Sequence, residues 1–269
     1  LICLALNCLE RNFDDGVYNH TVGCALLCKN GKVYAITQHE LPANKLQEAK
    51  KAPAKLTEDQ ENIYASGDRF SYVFSKHYGI FTSIVVDGQE QLVTRPQITA
   101  FRAPTDNDIY LKPRWAFTNV IDGENLDRSF TKVYDCTIRD GKIVVNGSVA
   151  GVSRLPFFRY TQTVQIRENG TVDYDLQGTV RKDTIWLPRF GLEFTLPQES
   201  NTFRYYGHGP IESYADMCHW APVGMYESTA DQEYVNYVRP QEHGNHYGVK
   251  KLSFPLGLEV WAEDKMEIN

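Results

Sequence analysis

The feature that most constrains this chain is a recurring pair of residues. Asp87-Gly88, Asp140-Gly141 and Asn169-Gly170 each separate two strand-like runs, and Asn30-Gly31 does the same nearer the start. An Asp-Gly or Asn-Gly connection suits backbone at positive φ, and such turns join antiparallel neighbours with the twist that strands require. The flanking runs are Ile80 to Val86 with Gln89 to Val93, Lys132 to Arg139 with Lys142 to Val149, and Phe157 to Ile166 with Thr171 to Arg181. Phe70-Ser-Tyr-Val-Phe74, Thr184 to Leu196 and Val249 to Trp261 read as further strands, whereas no segment keeps apolar residues at helical spacing for three turns. The expectation is an all-β fold, a large antiparallel sandwich. The lack of a longer fixed period argues against a propeller or a solenoid.

The 269 residues suffice for one large β domain, or for a small domain and a medium one. Aromatic residues at 12%, with 16 Tyr and 13 Phe, fit a strand-rich core. A net charge of −6 and the absence of a Lys/Arg cluster argue against nucleic acid, whose phosphates demand concentrated positive charge. The opening Leu1-Ile-Cys-Leu-Ala-Leu6 is short and lacks a preceding positive charge, so it reads as a strand. No stretch approaches the roughly 20 apolar residues of a membrane span, so a soluble protein is expected; source and compartment stay open, the bacterial cytoplasm or periplasm being the places considered. Cys3, Cys8, Cys24 and Cys28 could form a zinc site by count, but strand alternation separates them and their neighbours are aliphatic, so buried thiols are the plainer reading. Disulfides stay open, as does the use of the sequons at Asn19, Asn146 and Asn169.

The chain divides by composition. Residues 1–43 carry apolar alternation ending in Val33-Tyr-Ala-Ile-Thr-Gln-His-Glu-Leu41, as in the last strands of a small β-sandwich. Residues 44–61 hold Lys45, Lys50, Lys51, Lys55, Pro53 and several Glu without apolar spacing, and read as a linker. Residues 62–269 form the main domain.

Three strings carry chemistry. In Phe101-Arg-Ala-Pro-Thr-Asp-Asn-Asp108, the side chains of Arg102, Asp106, Asn107 and Asp108 make a compact polar loop, whose plain reading is an Asx-type turn pinned by an Arg–Asp pair. In Tyr206-Gly-His-Gly-Pro-Ile-Glu-Ser-Tyr-Ala-Asp216, Gly207 and Gly209 allow positive φ and present His208 beside Glu212, a pairing suited to acid–base work or simply to a tight loop with a solvated imidazole. Tyr237-Val-Arg-Pro-Gln-Glu-His-Gly-Asn-His246 brings His243 and His246 beside Glu242, a spacing that permits metal binding but has no supporting ligand cluster. Trp115, Trp186, Trp220 and Trp261 serve either a core or a sugar-stacking surface.

These strings, in this order, together with Ser71-Tyr-Val-Phe74, Gly79 and Leu187-Pro-Arg-Phe-Gly191, resemble the C-terminal domain of β-galactosidases of glycoside hydrolase family 2, including the separate small subunit of two-chain versions. The resemblance covers residue 62 to the end, and Gln38-His-Glu-Leu-Pro42 resembles the tail of the preceding immunoglobulin-like domain. It implies a galactose-mutarotase-like supersandwich. It also implies that hydrolysis of terminal β-galactosides is performed by two glutamates of a TIM barrel outside this sequence. The family's acid/base glutamate follows an Asn, and no Asn here is followed by Glu. The start at Leu1 and the stop at Asn269 lead to the expectation of a piece cut at both ends, with no catalytic residue and no cofactor or metal of its own, Mg and Na sites belonging to the parent. Its partners are then the barrel and a β-galactoside. Gly79 to Gly88 matches a loop near the family's active site, so this turn, together with Arg102, Asp106, Asn107, Asp108, His208 and Glu212, makes up the pocket candidates. Two rival readings are an aldose 1-epimerase using His208 and Glu212, and a free-standing carbohydrate-binding module.

Overall fold

The computed structural model describes residues 51–115 and 123–269 in full, and the strand backbone within residues 3–40. In the N-terminal part, β1 (Cys3–Ala5), β4 (Val22–Lys29) and β5 (Lys32–Glu40) form an antiparallel sheet, and β2 (Phe13–Asp14) pairs with β3 (Asn19–His20). Lys29 lies opposite Lys32 where β4 meets β5, Cys3 lies opposite Cys28, and the Asn30-Gly31 turn itself lies outside the described residues. The side chains of Cys3, Cys8, Cys24 and Cys28, and Asn19 of the first sequon, lie outside the described residues. Cys136 and Cys218 are free thiols.

The chain is all-β, with several antiparallel sheets. One has five strands in the order β10 (Gln89–Glu90), β9 (Ile80–Val86), β8 (Phe70–Ser75), β7 (Asn62–Ser66) and β6 (Leu56–Glu58). A second runs β12 (Ser129–Arg139), β13 (Lys142–Gly151), β14 (Phe158–Ile166) and β15 (Val172–Val180), each paired with the next. The turns thus punctuate two sheets rather than one continuous sheet. Asp87 and Gly88 have φ of 50° and 80°, and Asp140 and Gly141 have 50° and 71°, as tight hairpins need. At the third turn only Gly170 is at positive φ, and the bonds from Arg167 N–H to Thr171 O and from Gly170 N–H to Arg167 O close a longer connection.

Period-two alternation explains why the two sheets share a core. Ile63, Ala65, Phe70, Tyr72, Phe74 and Phe81 of one sheet, and Ile143, Val145, Val149, Phe158, Tyr160, Val164 and Ile166 of the other, form a single buried cluster. Phe74 meets Phe81 edge-on at 5.2 Å, an arrangement worth roughly 0.5–1.5 kcal/mol beyond area burial. Gln162 enters this core with no exposure. Its amide donates to Gly79 O at 3.0 Å, and its carbonyl accepts from the Tyr174 hydroxyl at 2.9 Å.

Two expectations change. Part of the stretch read as a linker is bonded to the two sheets: Glu168 N–H donates to Ala52 O, Ala54 N–H donates to Ile166 O, and β6 (Leu56–Glu58) pairs with β7. β6 holds neither Pro53 nor a lysine: Pro53 makes an isolated antiparallel bridge with Arg167, and three strand residues are too few to show an apolar period. Within Thr184 to Leu196, only β16 (Gly191–Thr195) is a strand, and it pairs with β11 (Thr94–Thr99). The third main sheet is β18 (Val223–Thr229), β17 (Thr202–His208), β19 (His246–Ser253) and β20 (Glu259–Ile268). Loops between these last strands, with the segment after β11, carry the three strings.

Candidate functional site

The loop after β11 is organised by one carboxylate. Asp108 accepts from the Thr105 backbone N–H at 2.7 Å, the Thr105 hydroxyl at 2.9 Å and Arg102 Nη1 at 2.6 Å, closing the single 3₁₀ turn Asp106–Asp108. Burial works against the charge on Asp108, but these bonds outweigh it and hold the carboxyl below the usual range. The Arg102 guanidinium also lies 5.5 Å from the centre of the Trp115 ring and donates to Ala103 O. The Arg–Asp turn anticipated for this string is present. Asp106 and Asn107 are exposed.

The third string meets this loop, and the second string meets the third. Glu242, 8% exposed, accepts from Ala103 N–H at 2.9 Å through one oxygen and from Arg189 through the other. Glu242 N–H donates to Pro104 O at 3.3 Å, and Asp106 N–H donates to Gln241 Oε1 at 3.0 Å. Between the loops lies a shallow hollow of about 260 Å³, walled by Pro104, Ile109 and Pro240 and edged by Asp106, Lys112 and Arg239. Glu212 accepts from the Tyr237 hydroxyl, from Gly244 N–H at 3.0 Å and from the Tyr214 hydroxyl at 3.5 Å. Ser213 and Asn245 exchange bonds of 2.6 and 2.8 Å, riveting the second string to the third.

Residues 66–260 match the family model described as beta galactosidase small chain. The chain belongs to that family. It is 32% identical over 206 residues to a "Beta-galactosidase" of Actinobacillus pleuropneumoniae, covering 75% of this chain and 20% of that protein. It is 31% identical over 211 residues to a "Beta-galactosidase" of Streptococcus thermophilus, covering 76% and 20%. With a "Beta-galactosidase" of Halalkalibacterium halodurans it shares 26% identity over 262 residues, 89% of this chain and 24% of that one. The chain therefore spans about a fifth of the length of the curated relatives it matches.

In this member of the small-chain family, the pocket candidates do not all come together. Arg102, Asp106, Asn107, Asp108 and Glu212 belong to the joined loops. Gly79 stands apart from them: it is buried at φ 64°, where a Cβ would lie 2.8 Å from Val133 and 2.9 Å from Val145, so packing between the two sheets accounts for the glycine. His208 and Glu212 are not joined. His208 Nδ1 donates to Ala221 O at 2.6 Å, whereas Glu212 is held by its own three donors. Gly207 is not at positive φ; it lies within β17, where a Cβ would meet Val249 Cγ2 at 2.7 Å, so close strand approach explains it.

His246 is fully buried, with Nε2 donating to Glu233 at 2.9 Å and Nδ1 facing the Tyr205 hydroxyl at 3.0 Å. His243 Nδ1 donates to the backbone carbonyl of Glu233 at 3.1 Å. The two histidines of the third string therefore turn to different atoms rather than to one ion, and among the described residues no group of three or more His, Cys, Asp or Glu is placed to hold a metal. Burial opposes the charge on Glu233, but the bonds from His246 and Ser228 keep its carboxyl below the usual range. Among the described residues no helix is long and apolar enough to cross a membrane. The sequence reading missed Arg189 and gave Glu242 only a place beside the histidines. Their signal, an Arg directly after Pro188 and a Glu two residues after Pro240, becomes legible only once the loops are brought together.

Proposed function

We propose that this chain is the C-terminal accessory part of a β-galactosidase that hydrolyses terminal β-galactosides. Its joined loops complete the substrate pocket and support assembly, while the chemistry is performed by glutamates of a barrel outside this sequence. One observation carries the reading: a chain spanning a fifth of its β-galactosidase relatives commits its buried loop carboxylates to internal bonds. Asp108 holds Arg102, Glu212 holds Tyr237 and Gly244, and Glu242 holds Ala103 and Arg189. Retaining glycoside hydrolysis needs two carboxylates about 5–5.5 Å apart, one to attack and one to exchange protons. Carboxylates saturated by donors within the fold serve shape rather than proton transfer. The epimerase reading loses support for the same reason, because His208 and Glu212 each answer to other partners.

The test is an assay of nitrophenyl β-galactoside hydrolysis by the purified chain, alone and mixed with a β-galactosidase truncated before this domain. No turnover alone and restored turnover in the mixture is the expected result. Hydrolysis by the chain alone would refute the accessory role. Accelerated interconversion of freshly dissolved α-galactose by the chain, lost in His208→Ala, would instead make it an epimerase.

A further inference from the structure

The outer face of the β12–β15 sheet carries a group of side chains that neither the core nor the joined loops use. The register sets Lys132, Ser148 and Arg159 side by side on three neighbouring strands. Tyr134 follows on the same face, and its hydroxyl meets Ser148 Oγ at 2.7 Å. Lys132 Nζ lies 5.7 Å, and the Arg159 guanidinium 5.9 Å, from the centre of the Tyr134 ring. Ser148 is 1% exposed and Tyr134 is 49% exposed, so the phenol roofs the serine yet keeps half its surface open. Phe130, also half exposed, shares this face one alternation earlier.

The charge arrangement is the informative part. Arg69, Arg102, Arg167, Arg181 and Arg189 are each paired with a carboxylate. Among the described residues Lys132 and Arg159, like Arg95, Arg114 and Arg239, have no such partner; what sets these two apart is that both lie over one aromatic ring. The carboxylates nearest by register are occupied, Asp135 by Arg139 at 3.4 Å and Asp175 by the Gln177 amide at 2.9 Å. Two cations drawn to one aromatic ring repel each other, and an anion between them relieves that repulsion.

We propose that Lys132, Tyr134, Ser148 and Arg159 form a binding site for an anionic sugar, one bearing a carboxylate or sulfate group. The guanidinium offers a planar fork to either group, and the lysine adds a point charge. The open rings of Tyr134 and Phe130 offer apolar surface to the C–H face of a sugar. In the adjoining row Asn146 and Thr161, bonded to each other at 2.8 Å, present an amide and a hydroxyl for neighbouring sugar hydroxyls. The Tyr134 phenol is held below the usual tyrosine range, first by its bond to Ser148 and then by Arg159 and Lys132, so its ionisation reports on charge at the site. The site lies apart from the joined loops and stands whether or not they complete a galactoside pocket.

The experiment is a titration of the full chain with galacturonate, with galactose as the neutral twin and sodium sulfate as the bare anion. It is followed by amide NMR shifts at residues 132, 134, 148 and 159 and by the pH dependence of the Tyr134 ring-carbon NMR shift. Saturable shifts with galacturonate, and an upward move of the phenol's ionisation, are expected. Binding should weaken about tenfold in Lys132→Ala or Arg159→Ala, the ratio that loss of one charge-assisted contact brings, and be unchanged in Lys142→Ala. Both variants sit at exposed positions, and an otherwise unchanged amide spectrum verifies their fold. Galactose binding as tightly as galacturonate would overturn the role of charge, and sulfate binding as tightly would overturn the role of the sugar ring. Absence of saturable shifts, or undiminished binding by the variants, would overturn the site itself.

Discussion

Glu242 is the clasp of the joined loops, and its removal has a calculable cost. In Glu242→Ala, the Ala103 N–H and the Arg189 guanidinium lose their shared acceptor. A hydrogen bond to a charged group contributes about 1.5–3 kcal/mol, so two bonds set a gross figure of about 3–6 kcal/mol. Arg189 keeps 29% of its side-chain surface exposed, so water replaces much of its loss, and about 2–3 kcal/mol remains as the cost of opening the loop. At tenfold per 1.4 kcal/mol, the Ala103 amide should exchange with solvent about 25- to 150-fold faster in native-state hydrogen exchange. Core amides such as Val145 should be unchanged. Glu242→Gln keeps an acceptor for Ala103 while losing the charge facing Arg189, and should fall between the parent and the alanine variant. Exchange at Ala103 within about threefold of the parent in Glu242→Ala would refute the clasp, because it would mean the loop is held by its own Asp108 bonds alone.

Further outcomes follow from single residues. Gly79→Ala forces a Cβ between Val133 and Val145 at a left-handed position, and urea unfolding should show a loss of about 2–4 kcal/mol; a loss under about 0.5 kcal/mol would mean that the two sheets part easily there. The Tyr160 hydroxyl is buried without a partner among the described residues, so Tyr160→Phe should leave the melting temperature unchanged or raise it, and a drop of several degrees would contradict this. Asp108 is depressed in the folded state, so its stabilisation is present above the ordinary carboxylate value of about 3.9 and is lost as pH falls through the lower folded value. Urea midpoints should therefore separate the parent from Asp108→Asn at pH 7 and converge as the pH falls below the ordinary carboxylate range; an unchanging gap would show that the charge of Asp108 is not what holds the loop.

The sequence by itself determined what depends on near neighbours along the chain. Asp87-Gly88 and Asp140-Gly141 adopt positive φ because an aspartate and a glycine tolerate it where bulkier residues do not, and each therefore announces its hairpin. Alternation along β13 and β14 marked the core face, and Arg102 with Asp108 could be paired because they are six residues apart in a tight loop. The same three strings also carried the family, since they are short and contiguous. Tertiary structure decided everything that rests on pairs remote in sequence. Gln162 meets Gly79 across 83 positions, and Glu242 meets Ala103 across 139. No local preference encodes such bonds, because either partner alone is satisfied equally well by water. Only when the sheets and loops close and exclude that water does a lone glutamine or glutamate acquire one defined partner, and only then is it visible that Val133 and Val145 crowd Gly79 and that Glu242 holds Ala103 and Arg189.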